Sequence, residues 1–112
     1  MCYPRVDFAI TYYRDDRGLS PFKKWYERLD SLAATKVYAA LMRIEAGNFS
    51  DSKRLKGGIW ERRIHSDPGF RLYYGIERQR YVVMLAGGTK RTQRDDISEA
   101  TKRWYEYRNP TS

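Results

Sequence analysis

The sequence predicts an α+β domain in the order β-α-α-β-β-β-α, and three observations carry that prediction. Apolar residues recur at helical spacing in two early stretches and one late one. They alternate, as on a half-buried strand, near the start and again across residues 59–75. The run YVVMLAGG (Tyr81–Gly88) is apolar throughout, the pattern of a central strand covered on both faces. With 112 residues the chain is expected to form one domain over 1–112, with a frayed tail from 109 onward.

From Val6 to Tyr13, Val6, Phe8, Ile10 and Tyr12 alternate with Asp7, Ala9 and Thr11, which predicts the first strand. RDDRG, ending at Gly18, is a turn. Ser20 has the chemistry of an N-cap, and Pro21 suits the first helical position because it has no amide hydrogen to leave unsatisfied. Phe22, Trp25, Tyr26 and Leu29 then fall on one face of a short helix. A break at Asp30–Ser31 precedes a second helix with the stripe Ala33, Val37, Ala40, Leu41 and Ile44, closed by Gly47–Asn48. Helices joined so tightly pack as an antiparallel hairpin, expected to cover one face of the sheet. FSDSKRLKGG (Phe49–Gly58) has the content of a loop. IWERRIH (Ile59–His65), FRLYYG (Phe70–Gly75) and Tyr81–Gly88 are successive strands, separated by SDPG and by the polar turn Glu77–Arg80. The last helix starts near Thr92, with Asp95 and Asp96 favourable in its first turn and Ile97, Ala100, Trp104 and Tyr107 on its inner face.

Lys and Arg number 22 against 14 Asp and Glu, giving a net charge of +8 and a pI near 9.7. That balance favours a polyanionic partner. Nucleic acid leads, although an anionic membrane surface or an acidic protein satisfies charge alone equally well. No apolar run approaches the roughly 20 residues that span a bilayer. The stretch MCYPRVDFAITYY lacks the apolar core and cleavage site of a signal peptide. The one cysteine, Cys2, excludes an internal disulfide and a multi-cysteine metal site, so the cytoplasm is the expected compartment. The one histidine excludes a His-rich metal site. No phosphate-binding glycine motif occurs, and Gly87–Gly88 is only a weak echo of one.

What remains is a set of cations. Lys53, Arg54 and Lys56 lie on the expected loop, whereas Arg62, Arg63 and Arg71 interrupt strands and Lys90 and Arg91 end one. Alternation puts Arg62 on the apolar face with Trp60 and Ile64, its stem reaching for an edge. Arg63 then shares the other face with Glu61 and His65, and Arg71 shares a face with Tyr73. The turn at SDPG decides whether these are the same face. A two- or four-residue loop separates them, and a three-residue loop or a bulge unites them. The united arrangement is favoured because Trp60, Ile64, Phe70, Leu72 and Tyr74 then form a continuous core. The alternative is a surface lattice of ion pairs from Glu61 to Arg63 or Arg71. Cations converging on one concavity suit an RNA phosphodiester, whose cleavage by its own 2′-hydroxyl needs no metal or cofactor. Arginine forks bind the phosphate oxygens, and His65, Glu61 or Tyr73 is left for proton transfer.

GFRLYYG followed by VVMLAGGTKRTQRDDISEATKRW resembles the RelE/ParE superfamily of bacterial toxins, closest to the HigB-like branch called putative addiction module killer proteins. The resemblance rests on Ser20–Pro21–Phe22 with Trp25, Gly47–Asn48–Phe49, Glu61–Arg62–Arg63–Ile64–His65, Pro68–Gly69–Phe70–Arg71 and Gly87–Gly88–Thr89–Lys90. Gln93, Asp96, Ile97 and Ala100 complete it, and the match runs from about Phe8 to Tyr107. It implies a curved antiparallel sheet with helices packed on it. It also implies a type II toxin neutralised by a cognate antitoxin, a helix-turn-helix protein that covers the cationic face and forms an oligomer with it. For RelE-type members it implies cleavage of messenger RNA in the ribosomal A site, and for ParE-type members inhibition of DNA gyrase instead. Arg71 matches the strand arginine that holds the scissile phosphate. Arg63 matches a catalytic lysine position, and Arg91, or Lys90 one step earlier, matches a second phosphate-binding arginine. Ile97 stands where RelE carries a tyrosine, so His65, Tyr73, Glu61 or the ribosome has to supply proton transfer. Gln93 contacts either the RNA or the backbone at the helix start. Lys53, Arg54, Lys56 and Tyr73 complete the expected RNA- or ribosome-binding set.

Overall fold

The computed structural model describes residues 7–110; Cys2, Val6 and Thr111–Ser112 lie outside them. In chain order the elements are β1 (Ala9–Tyr12), α1 (Pro21–Glu27), α2 (Ser31–Glu45), β2 (Ser52–Arg54), β3 (Trp60–Ile64), β4 (Phe70–Glu77), β5 (Tyr81–Thr89) and α3 (Gln93–Arg108). Short 3₁₀ turns occupy Lys56–Gly58 and Lys90–Thr92. The five strands form one sheet in the order β1-β5-β4-β3-β2.

The helix boundaries follow from local chemistry. Ser20 Oγ accepts from the Lys23 amide (3.1 Å) and Asp30 Oδ1 from the Ala33 amide (2.8 Å), so each early helix has a side-chain cap. Gly47, at φ 85°, ends α2 in a conformation that a side chain would oppose. The expected stripe Ala33, Val37, Ala40, Leu41 and Ile44 is buried in full.

Two layers cover the sheet. The α1–α2 hairpin packs on one face, where Phe22, Val37, Leu41 and Ile44 meet Leu72, Tyr74, Val82 and Met84. On the other face Ala100 and Trp104 of α3 meet Tyr73, Val83, Leu85 and Ala86. β5 feeds both cores, which is why its sequence is apolar on both sides. The strand alternation is interrupted by a bulge: Tyr73 pairs with Ala86 but Tyr74 with Met84, leaving Leu85 as the extra residue. Leu85 and Ala86 consequently both join the α3-side core, and Arg103 donates to the Leu85 carbonyl (2.9 Å).

Three features differ from the sequence expectation. The sheet is mixed, because β1 runs parallel to β5 while the remaining neighbours are antiparallel. The expected loop 49–58 contributes a short edge strand, β2, paired with β3. Arg62 does not reach for solvent; it is 3% exposed and donates to the Asn48 carbonyl at 2.8 Å, which satisfies one buried donor group.

Candidate functional site

The register of the β3–β4 hairpin builds the site. Ile64 pairs with Phe70, so the intervening loop has an odd number of residues and the faces coincide. Glu61 then faces Tyr73, and Arg63 faces Arg71 directly across the ladder. Like charges opposite one another on a sheet are unfavourable. The fold nevertheless places two guanidiniums there, at the mouth of a cleft.

That cleft, of about 210 Å³, is lined by Arg63, Arg71 and Lys90 together with His65, Ser66 and Phe70. Three of the expected cations therefore converge. Arg63 and Lys90 are exposed, whereas Arg71 is only 7% exposed. Lys90 is placed by the 3₁₀ turn that leads from β5 into α3. The two preceding glycines are required by packing rather than by phosphate. A Cβ on Gly87 would collide with the Trp25 indole, and one on Gly88 with the Asp96 carboxylate and Thr92 Oγ1.

Beneath the cations lies Glu61, which is fully buried. Its Oε2 accepts from Tyr73 Oη (3.0 Å) and from Gln93 Nε2 (2.8 Å) and lies 3.7 Å from Arg71 Nε. Its other oxygen is 3.8 Å from Lys53 Nζ and accepts no hydrogen bond. Arg71 Nε is likewise buried without a hydrogen bond, so its compensation is the nearby negative charge. Burial first, and then the charge and hydrogen bond of Glu61, push the Tyr73 phenol pKa well above its ordinary range. Tyr73 thus stays protonated and donates. Asp96, at the start of α3, has its carboxyl raised by burial and accepts from Thr92 Oγ1 at 2.5 Å, which lowers it partway back.

Several expected site residues sit elsewhere or are enclosed. Tyr73 and Glu61 do not reach the surface, because α3 closes over them; both are 0% exposed. Gln93 is half-buried at the helix start, and its side-chain amide donates to Glu61 rather than to backbone. His65 has an exposed side chain 3.4 Å from Asp51 Oδ1, at the edge of the cleft. Arg91 is exposed on the 3₁₀ turn and does not line the cleft. Lys53 borders a neighbouring hollow that Arg63 also lines. Arg54 faces a separate hollow beside Trp104 and Arg108, and Lys56 lies on the exposed turn after β2. Ile97 is partly buried against the α3-side core. Lys36 and Arg43, not singled out from the sequence, line a hollow that also contains Arg63 and His65. Their signal was present: they lie seven residues apart on α2, hence on one side of the helix.

Among the described residues no group of three or more His, Cys, Asp or Glu is placed to hold a metal ion. No helix among them is long and apolar enough to cross a membrane.

The sequence pattern of one protein family, described as phage derived protein Gp49-like, matches residues 24–105. The chain belongs to that family. Gp49-like proteins are a RelE/ParE-like toxin family, so the toxin superfamily inferred from the sequence holds, and a cognate antitoxin is the partner it implies. An uncharacterized protein of Haemophilus influenzae is 39% identical to this Gp49-like chain over 80 residues, 70% of this chain and 81% of that one. Among solved structures, a double mutant of the E. coli toxin RelE in the free state superposes with a TM-score of 0.66. The match covers 87% of this chain and 97% of RelE at 20% identity, a likeness of fold.

Proposed function

We propose that this Gp49-like protein is the toxin of a type II toxin–antitoxin pair, of the HigB-like kind, and acts as a metal-independent endoribonuclease on messenger RNA in the ribosomal A site. The observation that carries the proposal is the direct pairing of Arg63 with Arg71 beside Lys90 around one cleft. The fold gains nothing from opposing two guanidiniums, whereas a phosphodiester seated between them converts that repulsion into two charge-assisted contacts. A helix-turn-helix antitoxin that covers this cationic face would neutralise the toxin.

In the proposed reaction the 2′-hydroxyl oxygen attacks the adjacent phosphorus and the bond to the 5′-oxygen breaks. The products are a 2′,3′-cyclic phosphate and a 5′-hydroxyl. Arg63, Arg71 and Lys90 stabilise the charge that builds on the non-bridging oxygens. His65, at the cleft edge, exchanges protons with the attacking and leaving oxygens. Glu61 is a positioning residue: it neutralises the inner side of Arg71 and, through Gln93, ties α3 to the sheet.

Arg63 and Lys90 are exposed, so alanine at either leaves the fold intact. Each variant is expected to relieve growth arrest and to lower mRNA cleavage on translating ribosomes by on the order of 100-fold, as when one transition-state donor is removed. Primer extension on a reporter transcript reads the cuts, and DNA supercoiling is followed in parallel. Full toxicity of both variants would displace the site, and lost supercoiling with intact mRNA would replace the nuclease with a gyrase inhibitor.

A further inference from the structure

A second hollow, of about 330 Å³, adjoins the cleft on the hairpin side of the sheet. It lies between α2 and the end of β3, and Arg63, Ile64 and His65 line both spaces. Lys36 and Arg43 stand on its α2 wall, and Arg62 lies in its floor, fixed by the Asn48 carbonyl. Against these and Arg63 the hollow has a single carboxylate, Asp51, which is shared with His65. Burial lowers the Arg62 pKa, the neighbouring Tyr74 and Asp51 raise it partway back, and the Arg43 charge lowers it slightly. By lining alone, four cations, Lys36, Arg43, Arg62 and Arg63, face one carboxylate. Ala39 and Ala40 leave the middle of the wall low and apolar. Lys36 and Arg43 are two helical turns apart, about 10 Å.

We infer that this groove holds the RNA strand flanking the scissile linkage, with its backbone phosphates on Lys36 and Arg43 and with Arg63 and His65 marking the passage from groove to cleft. The inference rests on the ribonuclease reading of the cleft and adds the path of the substrate. An extended single strand fits better than a compact anion, because the cations form a track continuous with the cleft rather than one closed pocket. Contacts to phosphate carry no base information, so the groove supplies affinity and register without sequence preference. The backbone edge beside Arg63 is occupied, since the Arg63 amide donates to the Asp51 carbonyl (3.0 Å), so the strand reaches the cleft over the side chains of Arg63 and His65, which line both spaces.

The test uses the full chain and a fully 2′-O-methylated RNA decamer, which lacks the attacking hydroxyl and cannot be cut. Affinity is measured by fluorescence anisotropy over a range of salt for wild type, the double variant Lys36→Ala/Arg43→Ala, and Lys90→Ala. Lys36 is half-buried and Arg43 exposed, neither belongs to the buried stripe of α2, alanine favours the helix, and circular dichroism checks folding. Loss of two phosphate contacts reduces the slope of log K against log salt by about 1.4 and weakens binding roughly 25-fold near 0.1 M salt. A double variant that binds with the wild-type slope and affinity, while Lys90→Ala binds more weakly, overturns the groove and leaves the cleft standing. Wild-type binding by both variants overturns the RNA reading of both. A charge-reversed variant, Lys36→Glu/Arg43→Glu, is expected to bind still more weakly than the alanine pair; equal binding also counts against the groove.

Discussion

Replacing Glu61 with glutamine removes one charge and almost no volume. Two hydrogen bonds into Oε2, from Tyr73 at 3.0 Å and Gln93 at 2.8 Å, become bonds to a neutral amide. Hydrogen bonds to charged groups contribute about 1.5–3 kcal/mol and neutral ones about 0.5–1.5 kcal/mol, so the pair loses about 2 kcal/mol. The new amide nitrogen takes the place of an oxygen that accepts no hydrogen bond and faces Lys53 Nζ at 3.8 Å, where a donor is unwelcome. Arg71, whose side chain is 9% exposed, loses its nearest negative charge. Removing one partner of a buried pair costs about 3–5 kcal/mol, and access of water through the cleft holds the value toward the lower end. Because these terms overlap, the expected total is about 3–4 kcal/mol, a large part of the roughly 5–15 kcal/mol that holds a domain together. Urea unfolding followed by tryptophan fluorescence measures it. The double variant Glu61→Gln/Arg71→Gln is expected to recover at least about 1.5 kcal/mol relative to the sum of the singles, as coupled neighbours do. A Glu61→Gln protein within about 0.5 kcal/mol of wild type, or singles that simply add, would show that Glu61 is not the counter-charge of Arg71.

Gly88→Ala is expected to destabilise the protein by about 1–3 kcal/mol through overpacking against Asp96 and Thr92, and thermal melting reads the loss. The same substitution pushes on the first turn of α3 and so is expected to weaken the proposed RNA cleavage as well, which a variant distant from Gln93 would not do. Tyr13 donates to Glu106 Oε2 at 2.7 Å, and burial together with that partner pushes its pKa from the ordinary 10.0 up to about 12. A phenol raised on folding stabilises the native state fully below its unfolded pKa and loses that contribution as pH rises through the folded value. Wild type is therefore expected to lose stability between about pH 10 and pH 12 with a component absent from Tyr13→Phe, measured by denaturant titration at each pH.

Much of the helical architecture was legible because its causes are local. Ser20, Pro21 and Asp30 announce helix starts through their own hydrogen-bonding chemistry, and the α2 stripe follows from the pitch of the helix. The shared face of Arg63 and Arg71 was legible only by elimination, since the turn left two parities open and the apolar face had to choose between them. The parallel pairing of β1 with β5 was not legible, because alternation within a strand does not specify the direction of its neighbour. Nor was the bulge at Leu85: in an all-apolar strand a doubled inward residue leaves no trace. The burial of Glu61 depends on α3 folding over it and on Gln93, thirty-two positions later, reaching its carboxylate. A strand glutamate looks exposed until the layer above it is known. Gly87 and Gly88 resembled a phosphate loop for the same reason, because the side chains that exclude a Cβ belong to other elements.

The pairing of the first strand with the last also governs when this molecule becomes whole. Ala9 meets Tyr81, so the chain's opening segment waits without a sheet partner while the hairpin and three other strands are synthesised. Contacts between segments so far apart in sequence form slowly, since a long loop has to close first. Lys90 and Gln93 follow later still. A nascent copy thus carries an unfinished cationic cleft for most of its translation, and the cleft is complete only once β5 and the start of α3 have been made.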